Sequence, residues 1–213
     1  MKSKVNFSKI TPFYDLLGTV TFGGHLQKSQ IYALELYPES VDSILIIGGG
    51  TGKFLIELIK HLKFNHLVYL DISPAMINSA KQKIAKSSPE SLTKVEFILG
   101  GENKIPNQEF ELIVTHYFLD CLTPETYSET VEKLNRCLKQ DGVWSMVDFY
   151  NAERNPIREQ LISLLYCFFR ITCNLPTDKL IDFDIWFEKN MRCVKSKEFA
   201  GGLLKSSLYK KLD

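Results

Sequence analysis

The sequence lacks a Cys-x-x-Cys pair, an apolar run long enough to cross a bilayer, and any appreciable net charge. Each absence excludes a class of protein. Five cysteines at 121, 137, 167, 173 and 193 form an odd, widely spaced set. That pattern argues against a disulfide framework and for reduced thiols in a cytoplasmic protein, with no metal site expected. The most apolar stretch, Leu161 to Phe169, is interrupted by Ser163 and closed by Arg170. A bilayer helix needs about 20 apolar residues, so no stable membrane insertion is expected. At the start of the chain Lys2 and Lys4 are followed by Asn6, Ser8 and Lys9, not by the apolar core of a secretion signal. With 26 basic and 25 acidic side chains the formal charge is +1, and no global field calls for nucleic acid. Internal repeats, low-complexity tracts and Pro/Gly/Ser-rich linkers are also missing.

What remains is an ordinary globular composition, 45% hydrophobic and 24% charged over 213 residues, enough for a substantial core. Strand-like and helix-like segments alternate through the first 150 residues. Ser43 to Ile47 is a short apolar run of the kind buried on both faces of a parallel sheet. Phe54, Leu55, Leu58, Ile59 and Leu62 then recur at helical spacing, predicting a helix over Lys53 to Lys63. Further strands are expected at His66 to Asp71, Val95 to Leu99, Glu111 to Thr115 and Val143 to Asp148. Ser73-Pro74 and Thr123-Pro124 read as helix starts, because the hydroxyl caps a free amide and proline presets the first turn, and Asp141-Gly142 reads as the stop of the second of these helices. The alternation implies an open, doubly wound α/β sheet with helices on both faces. Beyond it, helices are expected at Asn155 to Arg170 and Asp182 to Lys189. Two closing strands, Arg192 to Glu198 and Leu203 to Tyr209, are joined through Gly201-Gly202 as a hairpin, so one of them runs antiparallel. Residues 1–40 read as a helical flap over the active site, and 41–213 as the ligand-binding domain.

The informative feature follows the first strand: Gly48-Gly49-Gly50-Thr51-Gly52, then a helix. Glycines there let the chain turn sharply and bring backbone amides close to a ligand. A second strand ends in Asp71, nineteen positions after Gly52. A carboxylate so placed accepts both hydroxyls of a ribose; the alternative is that Asp71 only caps the turn at Ser73-Pro74. The dinucleotide fingerprint Gly-x-Gly-x-x-Gly would put its third glycine at Lys53, and a triphosphate loop would need Ser or Thr where Phe54 stands. Both phosphate-binding readings fail on spacing.

The segments ILIIGGGTGKF (44–54), YLDISPAMINSAKQK (69–83), ELIVTHYFLD (111–120) and GVWSMVDF (142–149) resemble the sequential motifs of class I S-adenosylmethionine-dependent methyltransferases. The likeness is nearest to the small bacterial type related to the ubiquinone/menaquinone C-methyltransferases. It implies a Rossmann-like sheet of seven strands, mostly parallel with an antiparallel last strand, and S-adenosyl-L-methionine lying across the strand ends, leaving as S-adenosyl-L-homocysteine. On that resemblance Gly48, Gly49, Gly50 and Gly52 pass under the cofactor and Asp71 holds the ribose. Ile72, Met76, Gly101 and Glu102 surround the adenine side, and Thr115 and His116 approach the methionine end. Two positions depart from the family pattern. Ile46 stands where an acid commonly helps hold the amino-acid end, and Gly101 where an acid commonly meets the adenine, with Glu102 one position on as a substitute.

Methyl transfer from a sulfonium asks mainly for alignment and exclusion of water, with a general base where the acceptor must lose a proton. His116 is the leading base candidate, followed by Asp120 and Tyr117, with Asp148 in range; a lining role for His116 and packing for Tyr117 and Phe118 are the alternatives. His61 and His66 read as solvated. Tyr14, Phe22, His25, Tyr150, Tyr166, Phe168 and Phe169 are available to roof an acceptor pocket, although core is the expected place for Phe168 and Phe169. An aromatic lining suits a small apolar or aromatic acceptor, with the enzyme a monomer or homodimer. No Asn-Pro-Pro-Tyr type of signature points to nucleic-acid bases. The rival reading is a non-catalytic module that binds the cofactor as a sensor or partner subunit, favoured by Ile46 and Gly101.

Overall fold

The computed structural model describes residues 23–150, 155–173, 176–177 and 180–212, without the side chains of 157, 165, 169 and 173. Seven strands form one sheet in the order β3-β2-β1-β4-β5-β7-β6. The strands are β1 (Ser40–Ile47), β2 (Lys63–Asp71), β3 (Val95–Leu99), β4 (Phe110–His116), β5 (Leu138–Phe149), β6 (Met191–Phe199) and β7 (Leu204–Lys211). The first five are mutually parallel; β7 runs antiparallel to both β5 and β6. The hairpin between β6 and β7 turns on Gly201 and Gly202, at φ +64° and +87°.

Six helices flank the sheet among the described residues: α1 (His25–Leu34), α2 (Lys53–His61), α3 (Pro74–Ser87), α4 (Pro124–Cys137), α5 (Pro156–Cys173) and α6 (Asp184–Asn190). The central strands are apolar throughout because both faces are covered. On one face Ile44, Ile46, Leu67, Tyr69 and Val114 pack with Leu55 and Leu58 of α2, Ile84 of α3 and Ala33 and Leu34 of α1. On the other, Leu45, Ile47, Val68, Ile113 and Trp144 pack with Val131 and Leu134 of α4 and Phe187 of α6. Each such side chain contributes about 1.5–3 kcal/mol relative to exposure. The two predicted caps form: Ser73 Oγ accepts from the Met76 amide and Thr123 Oγ1 from the Thr126 amide, both at 3.4 Å.

The arrangement differs from the sequence reading at Gly142 and at Phe168. Asp141-Gly142 does not separate α4 from β5; the helix ends at Cys137 and the strand starts at once. The pairing with β4 shifts register between Phe110 and Leu112, and a Cβ at Gly142 would lie 3.1 Å from the Glu111 carbonyl oxygen. Glycine therefore marks a bulge inside a strand, not its beginning. Phe168 is 38% exposed, because α5 turns Ile162 and Tyr166 inward and leaves Leu164, Phe168 and Ile171 outside. Of the segment expected as a flap, α1 packs on β7 and α2, and residues 1–22, with Tyr14 and Phe22, lie outside the described residues. No described helix is long and apolar enough to cross a membrane.

The contact that sets α2 against α3 is glycine-dependent. Gly52 caps α2 at φ +82°, and a Cβ there would come within 2.7 Å of the Ala80 backbone and side chain. Gly52→Ala should destabilise the fold by more than the ~1–2 kcal/mol of a left-handed alanine alone, read as a lowered denaturation midpoint; an unchanged midpoint would contradict this packing.

Candidate functional site

Between Ile47 and α2 the chain turns through Gly48 to Gly52 at the carboxyl end of β1. β1 has β2 on one side and β4 on the other, so this is the point where strand order reverses and open sheets leave a crevice. Gly48, Gly50 and Gly52 sit at φ +69°, +63° and +82°, a region costly for any residue with a Cβ. Gly49 is constrained by space instead, since a Cβ there would lie 2.3 Å from the Tyr69 ring.

Side chains from below hold this turn. Tyr69 Oη donates to the Gly50 carbonyl at 2.8 Å, and the Gly50 amide donates to Asp71 Oδ2 at 2.8 Å. Lys83 Nζ and Ser79 Oγ, both on α3, donate to the Thr51 carbonyl at 2.7 and 3.2 Å. The other oxygen of Asp71 accepts from the Ser73 amide at 2.8 Å. Asp71 thus has the turn contact at Ser73 and also a contact with the glycine loop. It is 7% exposed; burial pushes its carboxyl up to about 6, against the pull of its two backbone donors. Each oxygen retains a further lone pair for a ligand hydroxyl. Beside it Ile72 is 41% exposed, 3.8 Å from where a Cβ of Gly101 would stand, and half-buried Glu102 opens the short turn Glu102–Lys104. Met76 is 2% exposed and packs in the first turn of α3.

Sequence reading treated Tyr69 as an ordinary strand residue and missed its role. The signal was present: a phenol in a fully buried strand must find a partner.

The end of β4 corrects several expectations. Thr115 is wholly buried and accepts from Trp144 Nε1 at 2.9 Å, so its hydroxyl is committed to the core beneath α4. His116 points to the opposite face. Its ring packs on Phe54 with centroids 4.4 Å apart, and Nε2 lies 2.9 Å from Ser145 Oγ. Burial lowers its pKa to about 3, which leaves a feeble proton acceptor and argues against the base role. Tyr117 adopts φ +55°, and its phenol meets Ser29 Oγ of α1 at 2.7 Å, an anchoring contact instead of a free acid or base. Phe118 covers the first glycine: a Cβ on Gly48 would lie 2.9 Å from its side chain.

Asp120 and Asp148 are brought together at the ends of β4 and β5, both buried. Asp148 Oδ2 accepts from the amides of Leu119 and Asp120 at 3.1 and 3.3 Å, and its Oδ1 from that of Phe149 at 3.0 Å. The two carboxyls also bond to each other. Burial raises both, and for Asp148 the neighbouring Asp120 charge raises it further. Lys205, the cross-strand partner of Asp148, does not neutralise the pair; its ammonium binds Asp184 at 2.7 Å. Tyr166 closes the site from α5, donating to the Asp120 carbonyl at 3.3 Å. His25 and Tyr150 are half-buried, His61 is exposed and His66 lies 3.4 Å from Glu96. Among the described residues no group of three His, Cys, Asp or Glu is arranged to hold a metal ion.

A carboxyl raised by folding contributes stability below the unfolded value of about 4 and loses it as pH rises through the folded value. Asp120→Asn keeps a donor for Asp148 while removing that loss. The variant should be more stable than the parent at pH 8, by about 1 kcal/mol or more, and equal to it at pH 4. Equal effects at both pH values in thermal melts would contradict the paired-carboxyl geometry.

Comparison with known proteins agrees with this geometry. Residues 45–144 match the Methyltransferase domain family. Carboxy-S-adenosyl-L-methionine synthase of Nautilia profundicola is 30% identical over 155 residues, covering 72% of this chain and 64% of that enzyme. Malonyl-[acyl-carrier protein] O-methyltransferase 1 of Ilyobacter polytropus is 32% identical over 162 residues, 75% of this chain and 56% of that one. The chain therefore spans less than two thirds of the length of these relatives. An N-methyltransferase of Bradyrhizobium japonicum WM9, solved with S-adenosyl-L-homocysteine, shares the fold at a TM-score of 0.65 and 15% identity, over 88% of this chain and 86% of that one. Residues 45–144 thus belong to the methyltransferase domain family, and the motifs, the glycine turn and these likenesses together support a class I S-adenosylmethionine-dependent methyltransferase.

Proposed function

We propose that the protein transfers the methyl group of S-adenosyl-L-methionine to a small molecule. The observation that carries this reading is the left-handed glycine turn tied to Asp71 at the reversal of strand order. The residues fit an adenosyl amino acid. Among the described residues nothing lies within 4 Å of a Cβ position on Gly50, so they leave the turn open on that side. Asp71 has acceptor capacity for ribose hydroxyls, and Ile72 with Gly101 offers an apolar shelf for adenine. When bound, the sulfonium supplies an activated methyl group with a neutral thioether as its leaving group.

The chain's own contribution is then to bind, align and take up a proton. The glycine turn, braced by Tyr69, Lys83 and Asp71, presents a ligand surface that needs little rearrangement. Among the catalytic candidates Asp120 has the surroundings best suited to accepting a proton. Burial raises both its carboxyl and that of Asp148, the neighbouring Asp120 charge raises Asp148 further, and no cation among the described residues competes for them. Tyr166 and Tyr150 border that end of the sheet, in keeping with a small apolar or aromatic acceptor. Residues 1–40 serve in this reading as a flap, with α1 joined to the site through Tyr117 and Ser29.

The likeness to carboxy-S-adenosyl-L-methionine synthase favours a second reading, in which the adenosyl sulfonium is itself the molecule modified. Incubation with labelled S-adenosyl-L-methionine, a panel of small acceptors and a panel of small carboxylic acids as carboxyl donors, read by mass, separates the two. Methyl transfer yields S-adenosyl-L-homocysteine and a methylated acceptor, the second reading a heavier adenosyl product, and a pure binding module neither.

Asp71→Asn tests the ribose assignment. It puts an amide donor against a backbone amide and removes the charge. Affinity for S-adenosyl-L-homocysteine should fall about tenfold or more with the fold retained by circular dichroism. In the parent, affinity should weaken as pH falls through about 6, where Asp71 takes up a proton. Calorimetry that found neither change would remove Asp71 from the ligand.

A further inference from the structure

His116 is the last residue of β4, one position beyond the Ile47–Thr115 pair and so beside the start of the glycine turn. Its imidazole is enclosed by Phe54 and Ser145, and its Nδ1 is buried without a partner among the described residues. Ser145 is itself wholly buried on β5. The phenol of Tyr37, from the segment after α1, faces that serine, although its oxygen makes no hydrogen bond of good geometry.

The direction of the protons follows from counting donors. Burial keeps the Tyr37 phenol protonated, so it has a proton to give and Ser145 as its neighbour. If Ser145 donates to His116 Nε2, the ring proton resides on Nδ1, and that N–H and the Tyr37 phenol lack partners among the described residues. In the reverse direction Nε2 donates to Ser145, and the serine's own proton and the Nδ1 lone pair are left unused beside the phenol. Each buried bond left unmade is costly, which favours the first arrangement. A buried N–H at the ligand end of a strand, held in place by a stacked ring on one side and a serine on the other, calls for an oxygen acceptor.

We infer that Ser145 is a positioning residue that fixes His116 as the Nδ1–H tautomer, so that this N–H binds the carboxylate of the adenosyl amino acid. The inference rests on the cofactor reading above and adds a recognition element to it. Burial also holds the ring neutral, with a pKa of about 3, so the contact is a neutral donor to an anion across the working pH range. The same N–H chemistry would suit an oxygen of the methyl acceptor; a ligand without the amino-acid end separates the two.

The test is histidine-labelled nitrogen NMR with calorimetry on the whole chain, using S-adenosyl-L-homocysteine and 5′-methylthioadenosine, which lacks the carboxylate. The free protein should show His116 protonated at Nδ1, and that resonance should move with S-adenosyl-L-homocysteine and stay put with 5′-methylthioadenosine. His116→Phe retains the stack on Phe54 and should lose about tenfold or more in affinity for the first compound, with none lost for the second. Ser145→Ala should give a mixture of tautomers and a several-fold loss for the first compound alone; should that variant fail to fold, the parent spectra decide. An Nε2–H tautomer, or a resonance indifferent to bound S-adenosyl-L-homocysteine, overturns the inference while the cofactor reading stands. Equal responses to both compounds overturn the carboxylate contact. Absence of binding by either compound overturns the cofactor reading and this inference together.

Discussion

One hydrogen bond, 2.8 Å from the Gly50 amide to Asp71, joins the end of β1 to the end of β2 and fixes the shape of the crevice between them. Everything on the ligand side depends on it. The bond requires a turn that three left-handed glycines permit, and a register that sets Ile47 beside Leu70 so that the carboxylate reaches the loop. Tyr69 completes the closure by taking the Gly50 carbonyl, and Gly49 leaves room for its ring. A buried carboxylate is costly, and the two backbone donors on Asp71 offset part of that cost. The loop is thus held in one form by buried polar groups of β2 and α3.

The same tension recurs at the ends of β4 and β5. Asp120 and Asp148 are buried against each other with three backbone amides on Asp148 and no cation among the described residues, while Lys205 is held by Asp184. On the opposite face His116 is buried with one nitrogen unpaired among the described residues. A core assembled for stability alone would place apolar side chains at these positions. Polar groups that resist ionisation, gathered at the carboxyl edge of the sheet, are what a site for proton uptake and ligand alignment requires.

Much of this was legible in the sequence. The five parallel strands showed as apolar runs because both faces are covered, and the caps at Ser73 and Thr123 were written in side chains adjacent to the backbone they serve. The glycine turn and Asp71 were readable because they are close in sequence and carry unusual residue types. What escaped detection depends on distant neighbours. Thr115 and His116 are adjacent at a strand end, and only the sheet reveals that they face opposite cores. Ser145 gave no local signal, since its partner lies 29 positions away, and the buried phenol of Tyr69 signalled the need for a partner without showing that it lies 19 positions away. Phe168 was misassigned because an apolar helix does not announce which side is covered. Gly142 was read as a stop because a bulge and a helix end use the same residue.

A crystal structure of the protein with S-adenosyl-L-homocysteine is the most direct measurement. The account predicts the ribose hydroxyls on the Asp71 carboxylate, with the Gly50 amide still bonded to it and the amino-acid end beside Gly48. Ligand bound away from the glycine turn, or a turn that must break from Asp71 to admit it, would contradict the account.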